Sequence, residues 1–152
     1  MTLRFPPAHP FNPLAALRLC LAAGGGAQAV DVLFDWIWRE GNAADSAEAL
    51  REPGARLGIA DVAAATETAE VKEQLRRNTE AALAAGVFGV PTLAIGDELF
   101  WGNDAHPLMA AVLADPDLLK QPEWQRVEAL PIAVQRNAEQ GACASLARGL
   151  PF

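Results

Sequence analysis

Basic residues, cysteines and long apolar runs are all scarce in this sequence, and each scarcity excludes a class of function. Twelve Lys and Arg stand against nineteen Asp and Glu, for a formal charge of −7 over 152 residues. That leaves no basic footprint for nucleic acid. The two cysteines, Cys20 and Cys143, form no Cys-x-x-Cys, which excludes thiol–disulfide exchange by a paired motif within this stretch. Cys20 lies on a leucine-rich helical pattern and reads as a small core residue. Cys143 sits in a Gly/Ala/Ser-rich tail and reads as incidental. Apolar runs break well short of a membrane span, and no basic region with an apolar block follows Met1, so the expectation is no membrane, no export signal and a reducing, cytoplasmic setting. The two histidines, His9 and His106, have no carboxylate or cysteine partner at ligand spacing, so no metal is expected. Ser46 and Ser145 lie outside any Gly-x-Ser-x-Gly setting, and Gly24–Gly26 is not followed by phosphate-loop residues.

What is present is enough apolar sequence, 51% of residues, for one sizeable core. Leu3–Phe5 has the makings of a short strand, stopped by Pro6-Pro7. Asn12-Pro13 is a helix entry, with Asn12 as cap and proline at the first helical position; Leu14, Leu17 and Leu21 then give a stripe that ends at Gly24. Val30, Leu33, Phe34 and Ile37 fall at i, i+3, i+4 and i+7, predicting a helix from about Ala27 to Glu40. A helical stretch from Asp45 to Leu57 is expected to be interrupted at Pro53-Gly54. A short helix over Asp61–Ala65 and a longer one from Ala69 to Ala85 follow, with Glu73 placed to pair with Arg77 and Gly86 as C-cap.

The period then changes. Thr92–Ile95 and Glu98–Trp101 are strand-length, and Gly96-Asp97 suits a tight hairpin turn. Asn103 or Asp104 starts a helix through Leu108, Met109, Val112 and Leu113, closed by Asp115-Pro116. Beyond it Trp124, Val127 and Leu130 suggest a turn or two of helix. Within this stretch, Val90-Pro91 opens a strand after a glycine-rich loop. A trans bond there is the plain reading; a cis bond would turn the Val90 amide and carbonyl outward, where an extended ligand pairs as an added strand does. Asn103 and Asp104 have a plain reading as N-cap and a functional one as a small-ion site at a helix start.

The run Gly86-Val-Phe-Gly-Val-Pro-Thr92, the hairpin, and Phe100-Trp-Gly-Asn-Asp104 resemble the C-terminal half of the 2-hydroxychromene-2-carboxylate isomerases. These stand with the kappa-class glutathione transferases in the DsbA-like branch of the thioredoxin fold. Phe11–Arg18, Phe34–Gly41 and Val71–Ala85 are similar to helices of that family's inserted helical domain, so the likeness runs from roughly Leu3 to Ala114. It implies an α/β, thioredoxin-like (DsbA-like) fold, predominantly helical in this chain. Residues 1–11 would be a residual strand and loop, 12–86 the inserted helical domain, 87–115 the ββα half and 116–152 a tail of weak pattern.

The resemblance also implies glutathione as cofactor, a small aromatic-derived acid as substrate and pairing as a homodimer. Val90 and Pro91 would hold the cysteinyl part of glutathione, and Asn103 and Asp104 its γ-glutamyl end. Ala105 stands where the family pattern usually has arginine, which removes a charge partner. Trp38 and Trp101 are candidates for the apolar wall of the substrate site. The family's first strand–helix unit, with the serine that addresses the glutathione sulfur, has no counterpart here, so no catalytic residue is expected in this chain and that serine is expected upstream of Met1. One expectation is therefore an incomplete reading of a glutathione-dependent isomerase, with that unit encoded in frame before Met1. The others are a non-catalytic remnant that binds glutathione or a partner, and a DsbA-like thiol–disulfide oxidoreductase.

Overall fold

A computed structural model describes residues 3–131; Cys143, Ser145 and the rest of the tail from 132 lie outside the described residues. The chain separates into two compact units, Met1–Phe88 and Gly89–Phe152.

The first unit is helical. Helix α1 (Leu14–Ala22) begins after Pro13, which stands at the cap position, and the Leu14 amide donates to Asn12 Oδ1 at 3.1 Å. Helix α2 (Ala27–Phe34) runs on into a π-helical turn over Asp35–Arg39, where the Glu40 amide reaches back to the Asp35 carbonyl at 2.8 Å. Such wide turns insert one residue into a helix and shift the faces beyond it. Helix α3 (Arg51–Arg56), α4 (Val62–Glu67) and α5 (Ala69–Ala84) complete the block. Side-chain oxygens cap the last two: Asp61 Oδ1 accepts from the Ala64 amide at 2.9 Å, and Thr68 Oγ1 from the Val71 amide at 3.3 Å. These bonds satisfy amides that a helix start leaves free.

The core of this unit is Ala16, Leu19, Leu33, Ile37, Ala44, Leu50 and Val62, with Leu19 and Leu50 fully buried. Glu67 ties three helices together, accepting from Arg18 at 2.7 Å and from Lys72 at 2.6 Å. Cys20 packs half-buried against the core, and burial pushes its thiol up from the ordinary value, away from the thiolate that reactivity needs.

Three expectations are corrected here. Leu3–Phe5 is not a strand: extended chain becomes a strand only with a ladder beside it, and the Arg4 amide instead donates to the Trp38 carbonyl at 2.8 Å. The stripe Leu14, Leu17, Leu21 does not define the buried face of α1; Ala16 and Leu19 do, and Leu14 and Leu17 are exposed. A helix apolar on most sides carries no unique stripe. Pro53-Gly54 does not interrupt a helix, because α3 starts only at Arg51. Pro53 thus lies in the first turn, where no helical partner for its nitrogen exists. Gly54 lies close against the start of α4: a Cβ there would lie 2.3 Å from Val62 Cγ2.

The second unit is a hairpin and helices. Strands β1 (Thr92–Ile95) and β2 (Glu98–Trp101) pair antiparallel, Thr92 opposite Trp101 and Ile95 opposite Glu98. Gly96 makes the turn with φ +60°. A 3₁₀ turn over Asn103–Ala105 leads into α6 (His106–Ala114), and α7 (Pro122–Glu128) follows. Phe100 and Val112 are the buried apolar residues described in this unit.

Candidate functional site

The site is one end of the hairpin. Thr92 opposite Trp101 is the last ladder pair, and one step further the Gly102 amide donates to the Pro91 carbonyl at 2.9 Å. Pairing therefore carries Val90-Pro91 and Asn103-Asp104 off the same end. The Val90–Pro91 bond is cis. Val90 is 86% exposed and makes no backbone hydrogen bond among the described residues, so its amide and carbonyl are available to a ligand.

Two contacts fix this loop. The Thr92 hydroxyl donates to the Gly89 carbonyl at 2.6 Å. The Trp101 indole lies so close over Gly89 that a Cβ there would be 2.4 Å from its Nε1. On the other strand Gly102 has φ +87°, and a Cβ would be 2.5 Å from Asp104 Oδ1. Glycine suits 102 for its left-handed backbone; the exposed Asp104 carboxylate that folds back over it could swing aside.

Asn103 and Asp104 are exposed and make no side-chain cap bond to the turn or to α6, which corrects the plain capping reading. The 3₁₀ turn inserted before α6 moves them off the cap position. Their side-chain polar atoms make no hydrogen bond or ion pair with the described residues, just ahead of the nine-residue α6. Trp101, 51% exposed, borders a cleft of about 270 Å³ with Ala105, Leu108, Trp124 and Val127. Trp38 belongs to the helical unit and stands in an aromatic cluster of its own there.

Residue reading alone passed over Gly89, Thr92 and Gly102 as a working set. The available signal was small residues flanking both the Val-Pro step and the Asn-Asp pair. It also did not foresee Trp124 as a cleft wall. No cluster of three or more His, Cys, Asp or Glu suited to a metal occurs among the described residues, and none of their helices is long and apolar enough to cross a membrane.

With this geometry in place, comparison with known proteins is specific. The DSBA-like thioredoxin domain model matches residues 1–114. The chain belongs to the DsbA-like thioredoxin family. Within it, the chain is 37% identical over 87 residues to a 2-hydroxychromene-2-carboxylate isomerase of Pseudomonas putida, covering 54% of this chain and 43% of that protein. A second isomerase of the same name, from Pseudomonas sp. strain C18, is 36% identical over 78 residues, covering 49% of this chain and 36% of that protein. The match thus spans less than half the length of these curated relatives. A solved selenomethionine 2-hydroxychromene-2-carboxylate isomerase superposes with a TM-score of 0.62 at 24% identity, over 86% of this chain and 63% of that one; this likeness supports the fold.

Proposed function

We propose that this chain is part of a glutathione-dependent isomerase of the 2-hydroxychromene-2-carboxylate type, acting on a small aromatic-derived acid. The observation that carries the reading is the open Val90 backbone at the same hairpin end as the unengaged Asp104 carboxylate. A tripeptide with a free ammonium at one end and peptide groups in its middle is the ligand those two features suit. The names of the two relatives support the isomerase class.

The roles follow from the donors and acceptors present. The Val90 amide and carbonyl pair with the cysteinyl backbone as an added strand does. Asp104 accepts from the γ-glutamyl ammonium, a charge-assisted bond, and the Asn103 amide has donors for the neighbouring carboxylate. Pro91 closes the loop without an amide that would compete for the ligand. The Trp101 indole gives the apolar wall beside Gly89. Glutathione, when bound, supplies a thiolate that adds reversibly to a conjugated double bond of the acid. The fixed loop holds the ligand backbone still, which lowers the ordering cost of binding.

Calorimetric titration of reduced glutathione into the 152-residue chain and into Asp104→Ala is the test. Loss of one charge-assisted bond, worth about 1.5–3 kcal/mol, should weaken binding by roughly ten- to a hundredfold. Equal affinities would remove Asp104 from the site, and no binding to either chain would overturn the reading.

A further inference from the structure

The peptide group between Gly89 and Val90 is engaged at one end and idle at the other. Its carbonyl oxygen accepts the Thr92 hydroxyl at 2.6 Å, while its amide, on Val90, makes no hydrogen bond among the described residues. A carbonyl oxygen only accepts, so the hydroxyl proton is committed to this bond, and the distance is an ordinary one for O–H···O. The Gly89–Val90 bond is not one of the cis bonds of the chain. In a trans peptide the C=O and N–H lie in one plane and point opposite ways. The Val90 N–H therefore faces away from Thr92, on a residue that is 86% exposed.

The hydroxyl stands in for a backbone bond. Gly89 to Thr92 is a four-residue bend, and no Thr92 amide bond to the Gly89 carbonyl closes it. On the far side of Val90, the Pro91 carbonyl is held by the Gly102 amide at 2.9 Å. The two pins differ in reach. The Gly102 bond continues the hairpin pairing, whereas the Thr92 bond acts on the peptide plane that carries the Val90 amide. Glycine at 89 leaves that plane freer to turn than any other residue would. Thr92 is the firmer partner: it heads β1 opposite Trp101, it is half-buried, and its β-branched side chain has few χ1 wells.

The bond also does more than orient. Hydrogen bonds in series polarise one another. A hydroxyl donating to the Gly89 carbonyl draws electron density from the amide nitrogen beyond it, so the Val90 N–H becomes a better donor. An amide already aimed loses little freedom when a ligand arrives.

We infer that Thr92 is a positioning residue for the ligand, its hydroxyl aiming and strengthening the Val90 amide that pairs with the cysteinyl carbonyl. The inference rests on the glutathione reading for the ligand alone; the aiming is a property of the free chain.

The test uses two variants of the 152-residue chain. Thr92→Val keeps the branched shape without the hydroxyl, and Thr92→Ser keeps the hydroxyl. The first readout needs no ligand: the nitrogen–proton heteronuclear NOE of the Val90 amide, which reports fast local motion. It should fall in Thr92→Val and hold its parent value in Thr92→Ser, with Ala94 on the same strand unchanged in both. The second is calorimetric titration of reduced glutathione. Thr92→Val should weaken binding about five- to tenfold, as for one lost neutral hydrogen bond, and Thr92→Ser by less than about twofold. Joined to Asp104→Ala, the Thr92→Val loss should add, because the two residues share no partner and serve different ends of the ligand. A Val90 amide as rigid in Thr92→Val as in the parent overturns the inference, whether or not glutathione binds. So does a Thr92→Ser chain that binds as weakly as Thr92→Val, since the hydroxyl is then not the cause. A Val90 amide that loosens as expected in chains that bind no glutathione sinks the ligand reading and upholds the positioning.

Discussion

The helical unit and the hairpin unit invest their residues differently. Residues 1–88 bury a connected apolar cluster from α1, α2, α4, the π-helical turn and the segments between. The described part of residues 89–152 buries Phe100 and Val112 as its apolar centre, yet its loop contacts are dense: Thr92 to Gly89, Gly102 to Pro91, Trp101 over Gly89. One region is specified by volume and the other by hydrogen bonds and close backbone approach. Substitutions should therefore report on stability in the first and on ligand geometry in the second.

The strongest way to press that contrast is Leu50→Ala. The side chain is fully buried in the helical cluster, and its loss should cost about 2.5–5 kcal/mol through lost transfer energy and the cavity left behind. Urea unfolding followed by far-ultraviolet circular dichroism measures it. A cost under about 1 kcal/mol would mean that the cluster is not what holds the helices.

Gly54→Ala should come next, at about 1–3 kcal/mol. The added methyl meets Val62 Cγ2 at 2.3 Å and the Ile59 carbonyl oxygen at 3.2 Å, and a backbone oxygen in a turn cannot swing away as a side-chain tip can. The companion Val62→Ala in the same chain should recover part of the loss. If the double variant is no better than the sum of the singles, the close approach of α3 and α4 is not the cause.

These residues also mark where reading the sequence succeeds and where it stops. The hairpin is plain, because alternating strand residues around Gly96-Asp97 are a local signal, and both strands fall at the expected positions. So does α5, from its Thr68 cap to Gly86. What escaped depends on partners distant in sequence. Gly54 looks like a helix breaker until Val62 is placed beside it, and Leu3–Phe5 looks like a strand until its amide is found on Trp38. The π-helical turn has no composition signal at all. At the site the Val-Pro step and the Asn-Asp pair stood out, but that Asp104 folds over Gly102 instead of capping the helix is a matter of backbone angles no pattern encodes.

Gly89→Ala turns the comparison round. Its methyl would sit 2.4 Å from Trp101 Nε1, but Trp101 is half exposed and can yield, so the cost to stability should stay within about 0.5 kcal/mol, as for other surface changes. The displaced indole and loop should weaken glutathione about tenfold, equivalent to about 1.4 kcal/mol. Paired unfolding and calorimetric titrations separate the two effects. A large loss of stability with unchanged affinity would erase the proposed division between the units.

Acid titration is the finest probe, because it compares ion pairs in the two units. In the helical unit the Arg56 guanidinium holds the Glu40 carboxyl below the usual carboxylate range, bonding at 2.7 Å while lying over Trp36. In the hairpin unit Lys120 lowers Asp117 in the same direction, but both partners of that pair are mostly in water. A carboxyl with a depressed folded value contributes stability above its unfolded value, near pH 4, and loses it as pH falls through the folded one. Solvent screening discounts both pairs, the Lys120–Asp117 pair more. Glu40→Gln should therefore flatten the acid limb of a urea-midpoint profile below about pH 4.3, while Asp117→Asn leaves it unchanged. Equal flattening by both substitutions would show that the Trp36–Arg56–Glu40 stack gives the helical unit no electrostatic advantage over an ordinary surface pair.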